Sequence, residues 1–321
     1  MAYTTIDNPE LYFQTKLYTG NATDDTAITL DGSENMQPDW IWTKERSQTG
    51  NHNLFDSVRG VSKRLRTETT DAEATLDPVN QIKSFDSDGF TLGTNNGSNE
   101  NSVTFVAWCW KAGTSFSNDA SATSVGTIDS SGSASDTAGF SIVSYTGTGS
   151  NGTVKHGLST APKMIWIKNR NLTGGDSQDW SIYNKSIGAG NFLYISRDNA
   201  SAAKAERFNS TDPTSTVFSL GTHGSGNGSS NTHIAYCFAE KQGYSKIGSF
   251  NGNGNADGPF VYCGFLPAWV IIKKTNSSGS VNWFMFDNKR SPINAVDDFL
   301  KADTSDAEGG DGNGYLDFLS N

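Results

Sequence analysis

The sequence contains no run of about 18 apolar residues, the length that a membrane-spanning helix requires. It has only three cysteines and no Cys-x-x-Cys pair, so the usual signatures of zinc sites and dithiol redox centres are missing. Its four histidines form no His-Glu-x-x-His motif, and neither a phosphate-binding P-loop nor a Gly-x-Ser-x-Gly turn occurs. These absences argue against membrane insertion and against the most recognisable metalloenzymes, nucleotide-binding enzymes and serine hydrolases.

Positive charge and aliphatic residues are also scarce. The net charge of −10 argues against a nucleic-acid backbone as partner and is read as a solubility feature. Hydrophobic residues make up only 35% of the chain, yet 18 Phe, 10 Tyr and 8 Trp supply large side chains for a core. The 34 glycines, with many Ser, Thr, Asn and Asp, are typical of turns between short strands, and no long segment has helical periodicity. The composition therefore predicts an all-β fold.

The chain also repeats itself. Three segments begin with an aromatic strand and a glycine turn, at 17–21, 144–149 and 249–254. Each continues to a proline that opens an apolar strand ending in lysine six residues later: PDWIWTK (38–44), PKMIWIK (162–168) and PAWVIIK (267–273). The proline fits the first position of a strand, where no ladder donor is needed, and the lysine is expected to mark the return of the chain to solvent.

Later landmarks recur in the same order. An Ala-Glu pair follows in each segment: Ala72-Glu73, Ala205-Glu206 and Ala307-Glu308. The strands GFTLG (89–93) and VFSLG (217–221) come next, and a closing strand, AWCW or AYCF, starts fourteen residues after the final glycine of each. Matched spacing at so many landmarks indicates a tandem structural repeat.

We predict tandem antiparallel β-sandwiches, jelly-roll-like, because short aromatic and β-branched strands alternate with turns. The predicted domains are a first sandwich at 1–111, a Ser/Thr/Gly-rich linker or arm at 112–139, a second sandwich at 140–243 and a third at 244–321. The third stops before counterparts of the GFTLG and AWCW strands and is expected to have an open sheet edge. Either the sequence is part of a longer one, which we favour, or another segment completes this unit.

The cysteines and tryptophans are interpreted as core residues. Cys109 and Cys237 have matching contexts and are expected at equivalent buried positions, with no disulfide among them and Cys263. His233 precedes the closing strand AYCF and is expected to be packed. Alternation sends Trp40 with Trp42, and Trp108 with Trp110, to one face each, without indicating which face is the core. The full set is Trp40, Trp42, Trp108, Trp110, Trp166, Trp180, Trp269 and Trp283.

Few acidic residues suggest chemistry. Glu73 with Glu308, or Asp297 with Asp298, could be nominated as glycosidase carboxylates. Glu73 and Glu308 are repeat equivalents, however, and a role shared by every copy is more often structural. FDSVRG (55–60) and FDNKRS (286–291) are interpreted as a strand end and a turn fixed by an Asp–Arg or Asp–Lys contact. FDSDG (85–89) and DGNG (311–314) could supply calcium ligands but are read as turns.

Several phrases resemble a repeated module of marine bacteriophage proteins. They are the YTGNG-like turns, WIKNR (166–170), FDSVRG, SFDSDGFTLG (84–93), VAWCWKAG (106–113) and the long stretch 235–262. The resemblance covers nearly the whole chain. Such proteins are described as virion structural or tail-fibre-like, and the module is largely of unknown function. The resemblance implies no agreed catalytic residues, so none is assigned.

The expected function is that of a non-enzymatic virion structural protein, most of all in a tail fibre or appendage that attaches to the host surface. Alternatives are a capsid-decorating or head-fibre protein, and a polysaccharide-binding or -degrading tail protein. The expected partners are further copies of the chain, with a trimer as the first option, other virion proteins, and a host glycan or protein. We expect no cofactor, no metal, no nucleic-acid partner and no membrane insertion.

Overall fold

The computed structural model describes residues 4–77, 80–173, 175–276, 281–310, 312 and 315–320. In these residues the chain consists mainly of antiparallel strands joined by turns, with a few helices of three or four residues. The all-β fold predicted from composition is confirmed. None of the helices in the described ranges has the length and apolarity of a membrane span.

The first unit folds into two antiparallel sheets that pack face to face. Its elements are a 3-10 helix (Pro9–Leu11), β1 (Phe13–Thr19), β2 (Thr26–Ile28), β3 (Trp40–Glu45), β4 (Asn53–Asp56), β5 (Lys63–Arg64), β6 (Ala74–Thr75), β7 (Ile82–Asp86), β8 (Gly89–Leu92), α1 (Asn96–Asn99) and β9 (Thr104–Trp110). The larger sheet has the order β1-β9-β3-β4 and the smaller one β2-β8-β7, while β5 pairs with β6. Ile28, Phe90 and Cys109 help to fill the space between the two sheets.

The second unit has the same topology. Its elements are β10 (Thr114–Asn118), α2 (Ala120–Thr123), β11 (Ser130–Ser135), β12 (Phe140–Thr146), β13 (Gly152–Lys155), β14 (Met164–Asn169), β15 (Ser181–Asn184), β16 (Asn191–Phe192), β17 (Ala202–Ala203), α3 (Ala205–Phe208), β18 (Val217–Leu220), α4 (Gly224–Asn227) and β19 (Thr232–Phe238). The order β12-β19-β14-β15 matches β1-β9-β3-β4, and the pair β13-β18 matches β2-β8. The prediction that the two units share a sandwich topology is confirmed, except that β7 has no counterpart among the described strands of the second unit.

Residues 112–139 extend the sheet of the second unit, which corrects the linker alternative and agrees with that of an arm laid on a neighbouring unit. β10 pairs with β11, and β11 pairs with β12 from Ser130 opposite Tyr145 to Ser135 opposite Phe140. A strand pairs through backbone N–H and C=O groups, so small polar residues can extend a sheet without a core of their own. At Gly132 a Cβ atom would stand 2.0 Å from Ile142 O, so the close approach of these strands requires glycine.

The third unit is smaller. Its strands are β20 (Trp269–Ile272), β21 (Phe284–Asp287) and β22 (Leu300–Lys301), which form one sheet in that order. β20 and β21 correspond to β3 and β4. Trp269 faces Asp287 in the third unit, as Trp40 faces Asp56 in the first. Phe286, Val296 and Phe318 form a small core of this unit. Among the described residues, 246–268 contain no strand, so no counterpart of β1 is formed there.

The large sheets of the first two units bury both of their faces. In β3, Ile41 faces the smaller sheet of its own unit, whereas Trp40 and Trp42 face a core that all three units share. All six residues of β3 are buried. Alternation did not indicate which face of the strand is the core, and in the structure both faces are.

The shared core is mainly aromatic. Trp40 lies at its centre, with ring centroids 4.4 Å from Trp110 and 4.5 Å from Tyr236 of the second unit. Trp283 and Met285 complete the core from the third unit. The core assignment of the tryptophans is confirmed except at Trp269, which is half-buried beside the cluster.

The units form a closed ring in which each contacts the next in the same way. A ring N–H of one unit bonds a backbone carbonyl of the neighbouring unit at three equivalent places. These bonds are Trp180 Nε1 to Arg66 O (2.8 Å), Trp283 Nε1 to Tyr194 O (2.6 Å) and His52 Nε2 to Lys301 O (3.0 Å). Each carbonyl follows directly after an equivalent leucine: Leu65, Leu193 or Leu300. The fold thus has internal threefold pseudosymmetry, with junctions between units one and two, two and three, and three and one.

The two matching cysteines occupy equivalent buried positions, as predicted. Cys109 faces Ile41 across the sheet, and Cys237 faces Ile165 at the same place in the second unit. Burial raises the pKa of both thiols, which makes them poor nucleophiles. All three thiols, including that of Cys263, are free.

We expect Trp40→Ala to lower the free energy of unfolding by about 3–5 kcal/mol, the usual range for removing a buried large aromatic side chain. Because all three units share this core, the variant should still unfold in a single transition. Urea denaturation followed by both tryptophan fluorescence and far-UV circular dichroism measures this. Ile293→Ser, at a side chain 78% exposed, is the control and should change little. Two separate transitions would contradict a common core.

Candidate functional site at the junctions between units

The phrase FDSVRG forms a buried ion pair at the end of β4. Asp56 accepts hydrogen bonds from Arg59 N (2.8 Å) and from Arg59 Nε (2.5 Å), which closes a turn of four residues. Arg59 also donates to Leu54 O (3.1 Å). Both side chains are fully buried. The predicted Asp–Arg contact is confirmed.

This pair continues across the junction between units one and two. Arg59 Nη1 lies 3.1 Å from Glu73, and Glu73 also accepts two hydrogen bonds of 2.8 Å from Arg170 of the second unit. Tyr236 of the second unit donates its hydroxyl to Asp56 (2.7 Å). Burial raises the pKa of Glu73, but the hydrogen bond from Arg170 and the charge of Arg59 outweigh it, so the pKa lies below its usual value. Glu73 is therefore an ionised carboxylate held between two guanidinium groups.

The phrase FDNKRS builds the same cluster at the junction between units three and one. Arg290 Nε lies 2.6 Å from Asp287 and its Nη1 lies 3.2 Å from Glu308. Arg46 of the first unit binds Glu308 through Nη2 (2.7 Å) and Nε (2.9 Å). Trp108 donates its ring N–H to Asp287 (3.0 Å), as the Tyr236 hydroxyl does at the first junction. The repeated phrase thus lies at the joint between neighbouring units, where Glu73 and Glu308 each contact two arginines.

The third junction, between units two and three, has neutral residues at all four places. They are Asn184, Ile187, Ser201 and Thr275. Ser201 N and Oγ both donate to Thr275 O (3.1 and 2.9 Å), in the place where Glu73 N donates to Arg170 O. Ser201, eight residues after Leu193, is therefore the counterpart of Glu73, which stands eight after Leu65. This corrects the alignment of Ala205-Glu206 with the other Ala-Glu pairs, and Glu206 is exposed.

The lysines that end the proline-started strands also lie in the junctions, which corrects the expectation that they return to solvent. Lys44 and Lys168 are fully buried, and burial lowers the pKa of each to about 8. Lys44 donates to Glu45 O (2.8 Å), and Lys273 donates to Asp198 O of the second unit (2.6 Å). Their ammonium groups therefore meet backbone carbonyls, of the same unit for Lys44 and of the neighbouring unit for Lys273.

Three of the other nominated carboxylates accept hydrogen bonds within the fold. Asp86 accepts from Thr91 Oγ1 (2.7 Å), and Asp88 accepts from Met36 N (3.2 Å). Asp297 accepts from Gly312 N (2.9 Å). DGNG (311–314) lies largely outside the described residues. Within the described parts of the chain, no group of three or more His, Cys, Asp or Glu residues is placed to hold a metal ion.

The second unit contains a charged cluster that sequence inspection missed. His223 Nδ1 lies 2.7 Å from Ser225 Oγ, and its Nε2 lies 3.0 Å from Asp176. Arg207 contacts Ser225 Oγ (2.7 Å) and Asp176 (2.7 Å). In the first unit the equivalent positions are neutral: Asn95 for His223, Gly97 for Ser225 and Gln81 for Arg207. In the sequence, this cluster could have been found by comparing the aligned repeats, because charged residues of the second unit replace neutral residues of the first.

This cluster has the residue types of an acyl-transfer triad but not its access. Ser225 is fully buried, and its hydroxyl already accepts a hydrogen bond from Arg207. Burial and the charge of Arg207 lower the pKa of His223. Burial raises the pKa of Asp176, but hydrogen bonds from Lys204 and Tyr194 outweigh it, so the pKa lies well below its usual value. The geometry supports a structural role, in which the cluster ties the segment around Asp176 to α3 and α4.

The fold and its junctions define a class: an all-β protein in which sandwich-like units close a ring around one aromatic core. No curated protein and no solved structure matches the chain. The chain belongs to the family described as Domain of unknown function (DUF7483), whose model matches residues 8–321.

We expect Glu73→Ala to cost about 3–5 kcal/mol of unfolding free energy, because it leaves two guanidinium groups without their shared carboxylate. Lys185→Ala is the control. It breaks a surface pair with Asp212, in which both side chains are exposed, and pairs of that kind contribute about 0–1 kcal/mol. Urea denaturation compares the two variants, and equal costs would contradict the importance of the buried cluster.

The residues of the neutral junction suggest a variant in which the stability lost in Glu73→Ala should be partly restored. The fourfold variant Asp56→Asn, Arg59→Ile, Glu73→Ser and Arg170→Thr copies the residues of the junction between units two and three. Removing all four charges together leaves none unpaired, so this variant should be more stable than Glu73→Ala in the same denaturation experiment. A fourfold variant less stable than the single one would contradict the equivalence of the junctions.

Buried neutral histidines should make the protein acid-sensitive. Burial lowers the pKa of His156 and His233 from 6.5 to about 4 and that of His52 to about 3. Below pH 6.5 the unfolded chain binds protons that the folded chain does not, so stability falls as the pH drops from 6.5 towards 4. Burial raises the pKa of Glu68 to about 7, which offsets part of this trend.

His233→Phe isolates one histidine, because Phe105 occupies the equivalent place in the first unit. Phe105 stacks on Tyr18 as His233 stacks on Tyr145, so the ring contact is retained. Between pH 6 and pH 5, the unfolding free energy of the variant should fall less steeply than that of the wild type, by about 1 kcal/mol per pH unit. Urea titrations at both pH values measure this, and equal slopes would show that His233 does not remain neutral.

Proposed function

We propose that this chain is a non-enzymatic structural protein of a bacteriophage particle, in a tail fibre or similar appendage that contacts the host surface. The observation that carries the proposal is the use of the repeated charged residues. The charged phrases FDSVRG and FDNKRS, which the chain uses twice, join neighbouring units. Their carboxylates are bound by arginines in both ionic junctions, so the sequence features that a glycosidase reading would use serve assembly of the fold.

A second line of support is the frame that results. Strands buried on both faces and closed into a ring form a rigid support, and loops on such a support can vary without disturbing the core. The surface groove with a volume of about 410 Å³ is lined mainly by small residues of 112–116 and 134–137 and has Asp136 as the ionisable group in its lining. Asp136 accepts from Ser159 N (2.8 Å), so its carboxylate already has a partner within the fold.

The virion setting rests on the resemblance of the motifs to phage structural modules. The proposed partners are further copies of the chain, other virion proteins, and a host glycan or protein. A multi-copy arrangement around a symmetry axis suits an appendage because one contact surface is then used several times.

Immunogold electron microscopy tests the proposal on particles of the phage that encodes the chain. An antibody to the purified chain should label the tail or its appendages. Label on the head would favour the capsid-decorating alternative, and particles that lack the protein by mass spectrometry would overturn the virion assignment. In a second arm, the purified chain is incubated with host envelope polysaccharide. Release of reducing ends would overturn the non-enzymatic assignment.

A further inference from the structure

The third unit has a strand whose second edge is not paired within the described residues. In the first unit, β3 pairs with β4 on one edge and with β9 on the other. In the second unit, β14 pairs with β15 and β19 in the same way. β20 pairs with β21, while its other edge has no strand beside it in the described parts of the chain.

The free edge of β20 lacks the features that normally protect such edges. Its sequence, WVII, contains no charge, no proline and no bulge, which are the devices that discourage strand addition. All four of its side chains are half-buried, whereas all six of β3 are buried. One face already contacts the shared core, where the Trp269 ring lies 5.4 Å from that of Trp110.

The segment before β20 exposes large apolar side chains, and for one of them, Phe250, the counterparts in the other units are covered. Phe250, Phe260, Tyr262 and Leu266 are 49–61% exposed. Phe250 aligns with Tyr18 and Tyr145 of the other units. Tyr18 stacks on Phe105 at 5.0 Å, and Tyr145 stacks on His233 at 5.1 Å, in each case on a ring of the closing strand. The ring that would cover Phe250 therefore belongs to a strand of the same kind.

We propose that the free edge of β20 binds an added β-strand with the pattern shared by β9 and β19. The occupant is a polypeptide segment outside residues 1–321 that carries ring–aliphatic–Ala–aromatic–Cys–aromatic, as in FVAWCW (105–110) and HIAYCF (233–238). The added strand would run antiparallel between β20 and residues 248–254, which would pair with its far side. This inference does not depend on the proposed virion function.

The pseudosymmetry sets the register. Trp40 faces Trp110 and Ile41 faces Cys109, so Trp269 would face the last aromatic residue and Val270 the small residue before it. The remaining aromatic would face Ile271 and point towards Asn184 of the second unit. Asn184 occupies the place of Asp56 and Asp287, which accept hydrogen bonds from Tyr236 and Trp108 at the other junctions.

Both closing strands of this chain are already engaged. β9 lies between β1 and β3, and β19 lies between β12 and β14. A folded second copy therefore offers no free strand of this pattern. An added strand gains affinity from main-chain hydrogen bonds and specificity from alternate side chains. The edge of β20 offers both, because its backbone is unpaired there within the described residues and its side chains are only half-buried.

The test uses a synthetic peptide of residues 103–111 with lysines added at both ends for solubility. Hydrogen exchange of the full chain should show new protection in 249–254 and 269–272 when the peptide is present, and none with a peptide of scrambled sequence. Phe250→Ser should weaken peptide binding, measured by fluorescence anisotropy, about three- to tenfold, because one ring contact is lost. Ile293→Ser, equally apolar and exposed but outside this edge, should leave binding unchanged.

Three results would overturn the proposal. One is the absence of new protection at saturating peptide. Another is equal protection by the scrambled peptide, which would mean nonspecific adhesion. The third is protection of 269–272 in the chain alone that rises with protein concentration together with its mass in light scattering, because the edge would then be occupied by a second copy.

Discussion

The structure depends on one constraint: the large sheet of a unit has two apolar faces and only one small sheet of its own to cover them. In β3 and β14 the buried residues are nearly continuous, so the second face must be covered by other units. Three sheets turned towards one another satisfy this requirement for all members at once. Large aromatic rings fill the centre, which explains how a chain with 35% hydrophobic residues encloses a substantial core.

The ionic clusters follow from that burial. Strand ends that would reach solvent in a lone sandwich here meet a neighbour, so their polar groups need partners inside the protein. Two junctions use Asp, Arg, Glu and a second Arg, and the third uses Asn, Ile, Ser and Thr at the same places. All four positions differ together. This is the expected outcome where loss of a single charge would leave the others buried and unpaired.

The sequence revealed the units, their common topology and the Asp–Arg turn, because strand spacing and turn chemistry are local properties. It did not reveal which faces were buried, since alternation in β3 gives apolar residues on both. It placed Lys44 in solvent, because composition does not show that a neighbouring unit covers the end of the strand. It read 112–139 as a linker or arm, because backbone pairing does not depend on apolar side chains. The cluster around Asp176 joins residues about thirty to fifty positions apart, which only the fold brings together.

Pseudosymmetry separates scaffold from specialisation in this family. Residues that recur at equivalent junction positions maintain the ring, so they are poor candidates for recognition. Besides the neutral junction, the departures from symmetry in the described residues include the charged cluster of the second unit, its extra strands β10 and β11, and the edge of β20. In the cluster, Arg207 and Ser225 are buried and Arg207 pairs with Asp176, while the extra strands consist mainly of small polar residues. The edge of β20 differs because the other two units show what kind of strand lies there. It is therefore the departure from which the chemistry of a partner can be read.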